Sequence, residues 1–365
     1  MITMAASSQA RWQPDWAVTP GEILLEALAD REMTQSELAQ RLGRPLKTVN
    51  EIIKGKAAIT PKTAIQLERA LGISARFWTG VETQYRDTIA RQEAELDLEA
   101  QADWIDAFPI ADLVRHRLIE RGRTKAATLA NLLSWLGVSR PGAYDRLDAA
   151  AAYRASPAFA ASPKAVTAWL RWGELQAVRV SAAPFDARRF RQVLAEIRPL
   201  TRKEPFAQIF QRVQTICAEA GVIVVLTPEL SGTHLNGAAR WIGSKAVIQL
   251  SLRHKADDQF WFTFFHEAGH LLSGRRRDFV DGVQPDHGDA DELAADQFAR
   301  DVIVPPDAYA SFIQAGDFSR AAVRLFAESQ AIAAGIVAGR LERDKHVGPA
   351  ALRAVKKAIT LSFSL

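Results

Sequence analysis

The segment FFHEAGHLL, residues 264–272, places two histidines four positions apart inside an apolar run. Polar side chains are costly in such a setting unless a partner satisfies them. Residues four apart share one face of an α-helix, and Asp257 and Gly274 are suited to cap a helix at its two ends. We therefore expect one helix here, with His266 and His270 on the same side, at a spacing that suits a single tetrahedral metal ion.

Glu267 completes the pattern His-Glu-x-x-His, which is the signature of zinc peptidases. In that chemistry the glutamate is the catalytic general base that takes a proton from water. A catalytic zinc also needs a third protein ligand, and the segment DELAADQFARDVIVP (291–305) offers Glu292 and Asp296 on one helical face. We expect Glu292 to bind the metal and Asp296 to accept a hydrogen bond from a ligand histidine. The alternatives are a helix that buries both histidines without metal, and a metal site without turnover.

Further side chains are weaker candidates for this site. An oxyanion beside the metal needs an additional donor, and the candidates are His234, Arg240 and Tyr309. A purely structural role is the alternative for each of the three. His287, in the polar loop 275–290, is a candidate ligand or lid residue, with a plain surface histidine as the alternative.

The segments FTFFHEAGHLLSG and ELAADQFARDVIVP together resemble the ImmA/IrrE family of bacterial metallopeptidases, over roughly residues 205–345. Asp296 stands where that family usually has asparagine, which is a change towards the Glu-x-x-x-Asp pattern of thermolysin-like enzymes. The resemblance implies a zincin-like domain, Zn2+ as the cofactor, and a regulatory protein as substrate, such as a repressor, a toxin partner or this chain itself. The β-branched run at 221–227 and a hairpin around Gly243 predict a small β-sheet in this domain.

A second pattern lies near the N-terminus. TPGE (19–22) and TQSE (34–37) are both typical of a capping box at the start of a helix. Gly43 can close the second of these helices, and a further helix is expected from Pro45 to Lys54. This order predicts a helix-turn-helix, whose later helix enters the major groove of DNA.

The helix at 45–54 has an apolar face and a polar face. Leu46, Val49 and Ile53 are expected to be buried. The polar side chains of this surface are the predicted DNA contacts, with base edges expected for Lys47 and Asn50, phosphates for Gln35 and Lys54, and unspecified contacts for Arg44 and Thr48. The alternative is a small helical bundle that uses this helix for protein contact.

Residues 19–92 resemble the Cro/repressor-type (XRE) domain of HigA-like antitoxins, through TPGEILLEAL, MTQSELAQRLG and TVNEIIKGKAAITPKTAIQLERALGISARFW. The resemblance implies a five-helix, lambda-repressor-like domain that binds a palindromic operator in double-stranded DNA as a homodimer.

Composition sets the remaining expectations. The chain has 365 residues, 48% of them hydrophobic, a formal net charge of +4 and one cysteine, Cys217. We therefore expect no disulfide framework, no membrane span and a cytoplasmic location. The chain is expected to be mainly α, with an α+β C-terminal domain, and to divide into a flexible tail, the helix-turn-helix, a helical middle region and the metallopeptidase domain, at 1–18, 19–92, 93–200 and 201–365.

The resulting hypothesis is a bacterial transcriptional regulator that binds operator DNA and carries a zinc-dependent peptidase domain. The alternative is a HigA-like antitoxin or repressor whose zinc domain is a non-catalytic sensor or protein-interaction module.

Overall fold

The computed structural model describes residues 18–152, 162–253, 255–275, 278–281, 290–348 and 351–359, with the backbone alone at 147–152 and 281. Residues 1–17 of the expected tail, most of the Ala-rich stretch 147–165 and His287 lie outside the described residues or side chains. The chain forms two compact units, Met1–Gln101 and Ala102–Leu365.

Unit 1 is a helical domain. Its helices are α1 Pro20–Ala29, α2 Gln35–Leu42, α3 Leu46–Ile53, α4 Pro61–Leu71 and α5 Ala75–Ala100. The expected boundary at residue 92 falls inside α5, and the change of unit follows Gln101. The helices surround one core that includes Leu24, Leu38, Leu67 and Trp78, all at most 1% exposed.

Local signals account for the starts and ends of these helices. Thr19 and Glu22 form both bonds of a capping box at α1. At α2 only the first bond forms, since the backbone N–H of Glu37 donates to Thr34 while the Glu37 carboxylate pairs with Arg41. Gly43 ends α2 in the left-handed conformation, with φ 63°.

The apolar face of α3 differs in one place from the expectation. Val49 is fully buried and Ile53 packs partly against the core, as expected, but Leu46 is 43% exposed. Leu46 is the first residue of the helix, and Ile52, which is 3% exposed, occupies the inward position beside Val49 instead. The buried stripe therefore spans only the last two turns.

Unit 2 is mainly helical with one small sheet. Its first helices are α6 Ile110–Arg115, α7 Lys125–Leu136, α8 Pro141–Ala152, α9 Pro163–Val178, α10 Ala187–Ile197 and α11 Phe206–Glu219. The later ones are α12 Asp257–Leu272, α13 Ala290–Ile303, α14 Pro306–Ala315, α15 Arg320–Ser329 and α16 Ala334–Arg343. The predicted middle region from residue 102 onwards lies in this same compact unit.

The sheet has the order β1-β3-β2-β4, with β1 Val222–Leu226, β2 Gly237–Ile242, β3 Lys245–Leu250 and β4 Phe279–Asp281. The hairpin β2–β3 around Gly243 is confirmed. β1 pairs in parallel with β3, and β4 pairs antiparallel with β2. The sequence did not predict β4, which has only three residues. Helix α9 covers one face of the sheet, where Ala177 packs on Ile223, Val225 and Val247.

Helix α12 is buried almost all round, as expected for a helix that is apolar on every side. It contacts the sheet, α13 and α16. Asp257 is not the N-cap, which is Ala256; its carboxylate instead accepts hydrogen bonds from the backbone N–H of Lys357 and of Asp258. The helix ends at Leu272, and Gly274 follows in the left-handed conformation with φ 78°.

No single described helix is long and apolar enough to cross a membrane. Helices α15 and α16 reach the required length and composition only as a pair, bent by 115° at their break.

The packing of α1 on α3 gives a stability prediction. A Cβ atom at Gly21 would overlap the backbone carbonyl of Ile53, whereas a Cβ at Gly80, on exposed α5, would meet nothing within 4 Å. We expect Gly21→Ala to destabilise unit 1 by about 1–3 kcal/mol, and Gly80→Ala to stabilise it by up to about 1 kcal/mol. Hydrogen-exchange mass spectrometry on the full chain measures both effects in peptides from residues 18–81. Equal protection in the two variants would contradict the contact.

Candidate metal centre and helix-turn-helix surface

The histidines of α12 face each other in the interior of unit 2. His266 is 3% exposed and His270 is 1% exposed. Their Nε2 atoms lie 3.0 Å apart, which the shared helical face of residues four apart allows. The ring of Phe279 on β4 stacks on His270, with centroids 4.1 Å apart, and fixes the plane of that imidazole.

Helix α13 brings two carboxylates to this pair. Glu292 Oε2 lies 3.2 Å from His266 Nε2, and Glu292 Oε1 lies 3.4 Å from His270 Nε2. One turn further along, Asp296 Oδ1 lies 2.9 Å from His266 Nδ1. The structure therefore brings together the three predicted metal ligands and the predicted partner of one histidine.

The electrostatics of the cluster favour an ionised carboxylate at each position. Burial raises the pKa of Glu292, but its contacts with His266 and His270 outweigh that cost and hold the pKa at about 2. Burial likewise opposes ionisation of Asp296, and the hydrogen bond from His266 with the nearby arginines lowers its pKa overall. Burial is the main reason that the pKa of His270 is lowered.

This arrangement fits a bound cation. Because Asp296 is ionised and can only accept, His266 donates its Nδ1–H and turns the Nε2 lone pair towards the cluster. The ligand atoms of His266, His270 and Glu292 all lie within 4.8 Å of one another. Ligand atoms around a tetrahedral zinc with bonds of about 2.1 Å are separated by about 3.4 Å, which is close to the separations in this cluster. The donor set of two imidazoles and one carboxylate is one that zinc accepts.

Glu267 is enclosed between α12 and the sheet. It is 0% exposed. A Cβ at Gly237 on β2 would lie 2.5 Å from Glu267 Oε1, so only glycine at this position of the strand leaves room for the carboxylate. The sequence pattern gave Glu267 its predicted role, but it contained no signal for the contribution of Gly237.

Two of the three candidate oxyanion donors are hydrogen-bonded to other partners. The Arg240 guanidinium lies 3.3 Å from Asp278 and donates to the backbone carbonyl of Leu170. The hydroxyl of Tyr309 donates to Asp344 at 2.8 Å. His234 is 44% exposed at the side chain, and its Nδ1 lies 3.7 Å from Glu229. None of these contacts is with His266, His270 or Glu292.

In unit 1, helices α2 and α3 have the order and turn of a helix-turn-helix. Two helices of eight residues each are joined across Gly43, and the backbone N–H of Gly43 donates to Gln40. The outer face of α3 carries the polar residues expected to approach DNA.

The predicted DNA-contacting side chains differ in their exposure and in their contacts within the domain. The Lys47 side chain is 85% exposed and lies 3.9 Å from Glu51 on the next turn. Lys54 is exposed, whereas Gln35, Thr48 and Asn50 are partly exposed. Arg44 is also partly exposed, and its Nε donates to Gln66 on α4 at 2.8 Å, so the hydrogen-bonding capacity of this side chain is partly used inside the domain.

Comparison with known proteins places this domain. The family model for helix-turn-helix proteins matches residues 24–78. An HTH-type transcriptional regulator, YddM of Escherichia coli strain K12, is 29% identical over 79 residues, which are 22% of this chain and 82% of that protein. Virulence-associated protein I of Dichelobacter nodosus is 34% identical over 80 residues, 22% of this chain and 74% of the relative.

Solved structures resemble the same share of the chain. An addiction module antidote protein of the HigA family from Coxiella burnetii is 30% identical, covers 23% of this chain and 92% of its own, and has a TM-score of 0.22. The Pseudomonas aeruginosa antitoxin HigA, solved with the higBA promoter, is 30% identical, with 23% and 94% covered and a TM-score of 0.22.

The chain therefore has a DNA-binding domain of the class found in transcriptional regulators. Through that domain it belongs to the helix-turn-helix family, of the XRE type.

Proposed function

We propose that the chain is a bacterial, cytoplasmic transcriptional regulator that binds operator DNA as a homodimer. The supporting observation is the exposed polar face of α3, which follows the Gly43 turn in a domain of the helix-turn-helix family. A helix in this position suits the major groove, where amide and ammonium groups can read base edges. Antitoxin-like repression is the form of regulation that fits a domain of this type.

We further propose that unit 2 carries a zinc site of zincin-like, ImmA/IrrE type, with peptidase activity towards a regulatory protein. The observation that carries this proposal is the convergence of His266, His270 and Glu292, with Asp296 holding His266 from behind. Buried histidines of an ordinary core would be satisfied by separate partners. Here one nitrogen of each imidazole and a carboxylate oxygen all lie within 4.8 Å of one another.

Each residue of the cluster would have a separate role in the proposed peptidase. His266, His270 and Glu292 would hold zinc, which supplies a Lewis acid that makes a water molecule more acidic when it is bound. Asp296 would keep His266 in the tautomer that presents Nε2, at 2.9 Å from Nδ1. Glu267, directly beside His266 in the sequence, would accept a proton from the attacking water and return it to the leaving amine.

One observation favours a second candidate function. Glu267 is 0% exposed, and a general base must be reached by water and substrate. The closed surroundings of this carboxylate support a metal-binding domain that acts as a sensor or as a protein-interaction module in a HigA-like repressor. The two candidates share the metal ligands and differ in the role of Glu267.

The first prediction from the proposed function concerns operator recognition. A palindromic site selected from the DNA upstream of the gene serves as the probe in a mobility-shift assay. Asn50→Ala should relax specificity at one position of each half-site, by about 1–3 kcal/mol, and Lys54→Ala should weaken binding on all sequences and reduce the salt dependence. Arg69→Ala, an exposed change on α4, is the control and should bind as the original chain does. Undiminished operator binding by a chain that lacks residues 1–101 would contradict binding through the helix-turn-helix.

The second prediction concerns the metal. After mild chelation and addition of zinc, elemental analysis should find one ion per chain. His266→Ala should lose it, because one of three ligands is removed, whereas His234→Ala should keep it. Full zinc content in the His266 variant would show that the ligand set is wrong.

The third prediction separates catalysis from sensing. Glu267→Gln keeps the shape of the side chain but removes the basic carboxylate, and it should leave zinc content and operator binding intact. If the domain is a peptidase, this variant should abolish cleavage of candidate repressors, of a toxin partner or of the chain itself, as followed by immunoblot in a strain with an operator reporter. If induction and fragment patterns equal those of the unaltered strain, the peptidase proposal fails and the sensor remains.

A further inference from the structure

A cavity of about 320 Å3 lies between α12, α13 and α16, and the proposed mechanism makes no use of it. This volume is within the range of small-molecule sites in proteins. Its apolar walls come from all three helices, through Phe262, Ile303, Val304 and Ile336. The ring of Phe262 is one turn from His266 along α12.

Two acidic side chains in the wall share one lysine. Lys356 Nζ lies 2.7 Å from Asp258 Oδ2 and 2.6 Å from Glu342 Oε2. All three side chains are at most 19% exposed. The three basic side chains Arg300, Arg340 and Arg343 line the same cavity and outweigh the one negative charge that this trio retains.

Arg340 is also committed within the protein. Its guanidinium lies 3.7 Å above the ring of Tyr309 and donates to the backbone carbonyls of Arg300 and Val304 at the end of α13. Asp344 lies 3.6 Å from its Nε. This side chain holds α16 on α13.

Arg300 differs from these groups. Its Nε is buried and has no hydrogen-bond partner among the described residues. Asp296, one turn before it on α13, already accepts the hydrogen bond of His266. The neighbouring Arg343 lies 3.8 Å over the face of Phe262, so a second guanidinium stands at the same wall. The charge of Arg300 helps to lower the pKa of Asp296, but its guanidinium N–H groups form no hydrogen bond with a described residue and can donate to a ligand.

We propose that this cavity is a binding site for a small monocarboxylate with an apolar body. The carboxylate would pair with the Arg300 guanidinium, a geometry that favours two parallel hydrogen bonds. The body would lie against Phe262, Ile303 and Ile336, where removal of apolar surface from water drives binding. The four basic side chains in the wall outnumber its two carboxylates and disfavour a cation, and the apolar walls disfavour a large polyanion.

The site does not depend on the proposed metal or on peptidase activity. None of the groups that would contact the ligand is a proposed metal ligand. The two proposals can therefore fail separately.

The test uses the full chain and two probes of equal shape, 4-phenylbutyrate and its neutral amide. Calorimetric titration should show saturable binding of the carboxylate and much weaker binding of the amide. Arg300→Gln should weaken carboxylate binding by about tenfold or more, as expected for loss of a charge-assisted hydrogen bond. Arg320→Gln, an exposed arginine on α15, is the matched control and should bind normally.

The remaining outcomes also decide the proposal. Circular dichroism checks that Arg300→Gln is folded; if it is not, Ile336→Phe, which fills the cavity from α16, takes its place and should also lose binding. Equal binding of acid and amide, no binding of either, or unchanged binding in the substituted chain would overturn the proposal. Zinc content is measured on the same samples, so that failure of the metal site and failure of the carboxylate site can be told apart. Binding of 4-phenylbutyrate by a chain that holds no zinc would count against the proposed metal site alone.

Discussion

The close approach of α12 and α13 is the contact on which the candidate metal centre depends. Gly269, between the two histidines, faces Ala295, and a Cβ at this glycine would lie 3.2 Å from the Ala295 Cα. Two small residues thus allow the helix backbones to pack tightly. At this separation Glu292 and Asp296, on either side of Ala295, both reach the imidazoles. A larger residue at Gly269 or Ala295 would push the two helices apart. The distances between the candidate ligands would then increase although the ligands themselves were unaltered.

On the other side of α12, a glycine again allows a close approach. Gly237 on β2 leaves room for Glu267, and the aromatic residues Phe260, Trp261, Phe264 and Phe265 anchor the helix in the main core. The polar side chains of the motif are therefore held by a large apolar framework. Burial of two imidazoles and a carboxylate costs free energy because these groups lose water. A closely packed apolar framework is stiff and can hold them in place despite that cost.

Sequence alone predicted the parts of this structure that depend on short-range spacing. The i,i+4 pattern of His266 and His270 was enough to place both on one face, and the hairpin around Gly243 followed from its turn. The parallel pairing of β1 with β3 was not predicted, because such a contact joins residues far apart in the chain. Strand β4 was missed because it owes its conformation to pairing with β2 rather than to its own residues. The N-cap at Ala256 was missed for a similar reason, since Asp257 is engaged by the distant backbone of Lys357.

The charges of the helix-turn-helix surface bear on the proposed homodimer. On α3, Lys47 is opposed by Glu51 at 3.9 Å, and Arg44 beside the turn shares its hydrogen bonds with Gln66. An exposed pair of this kind is weak, but it still reduces the net attraction of one helix for phosphate. Non-specific affinity grows with the number of phosphates that are neutralised, so a single domain with few uncommitted cations would bind only weakly at physiological salt. Two domains on one palindrome double the phosphate contacts and let the second domain bind at a high effective concentration. The modest charge of this recognition surface therefore supports the proposed binding of the operator by a homodimer.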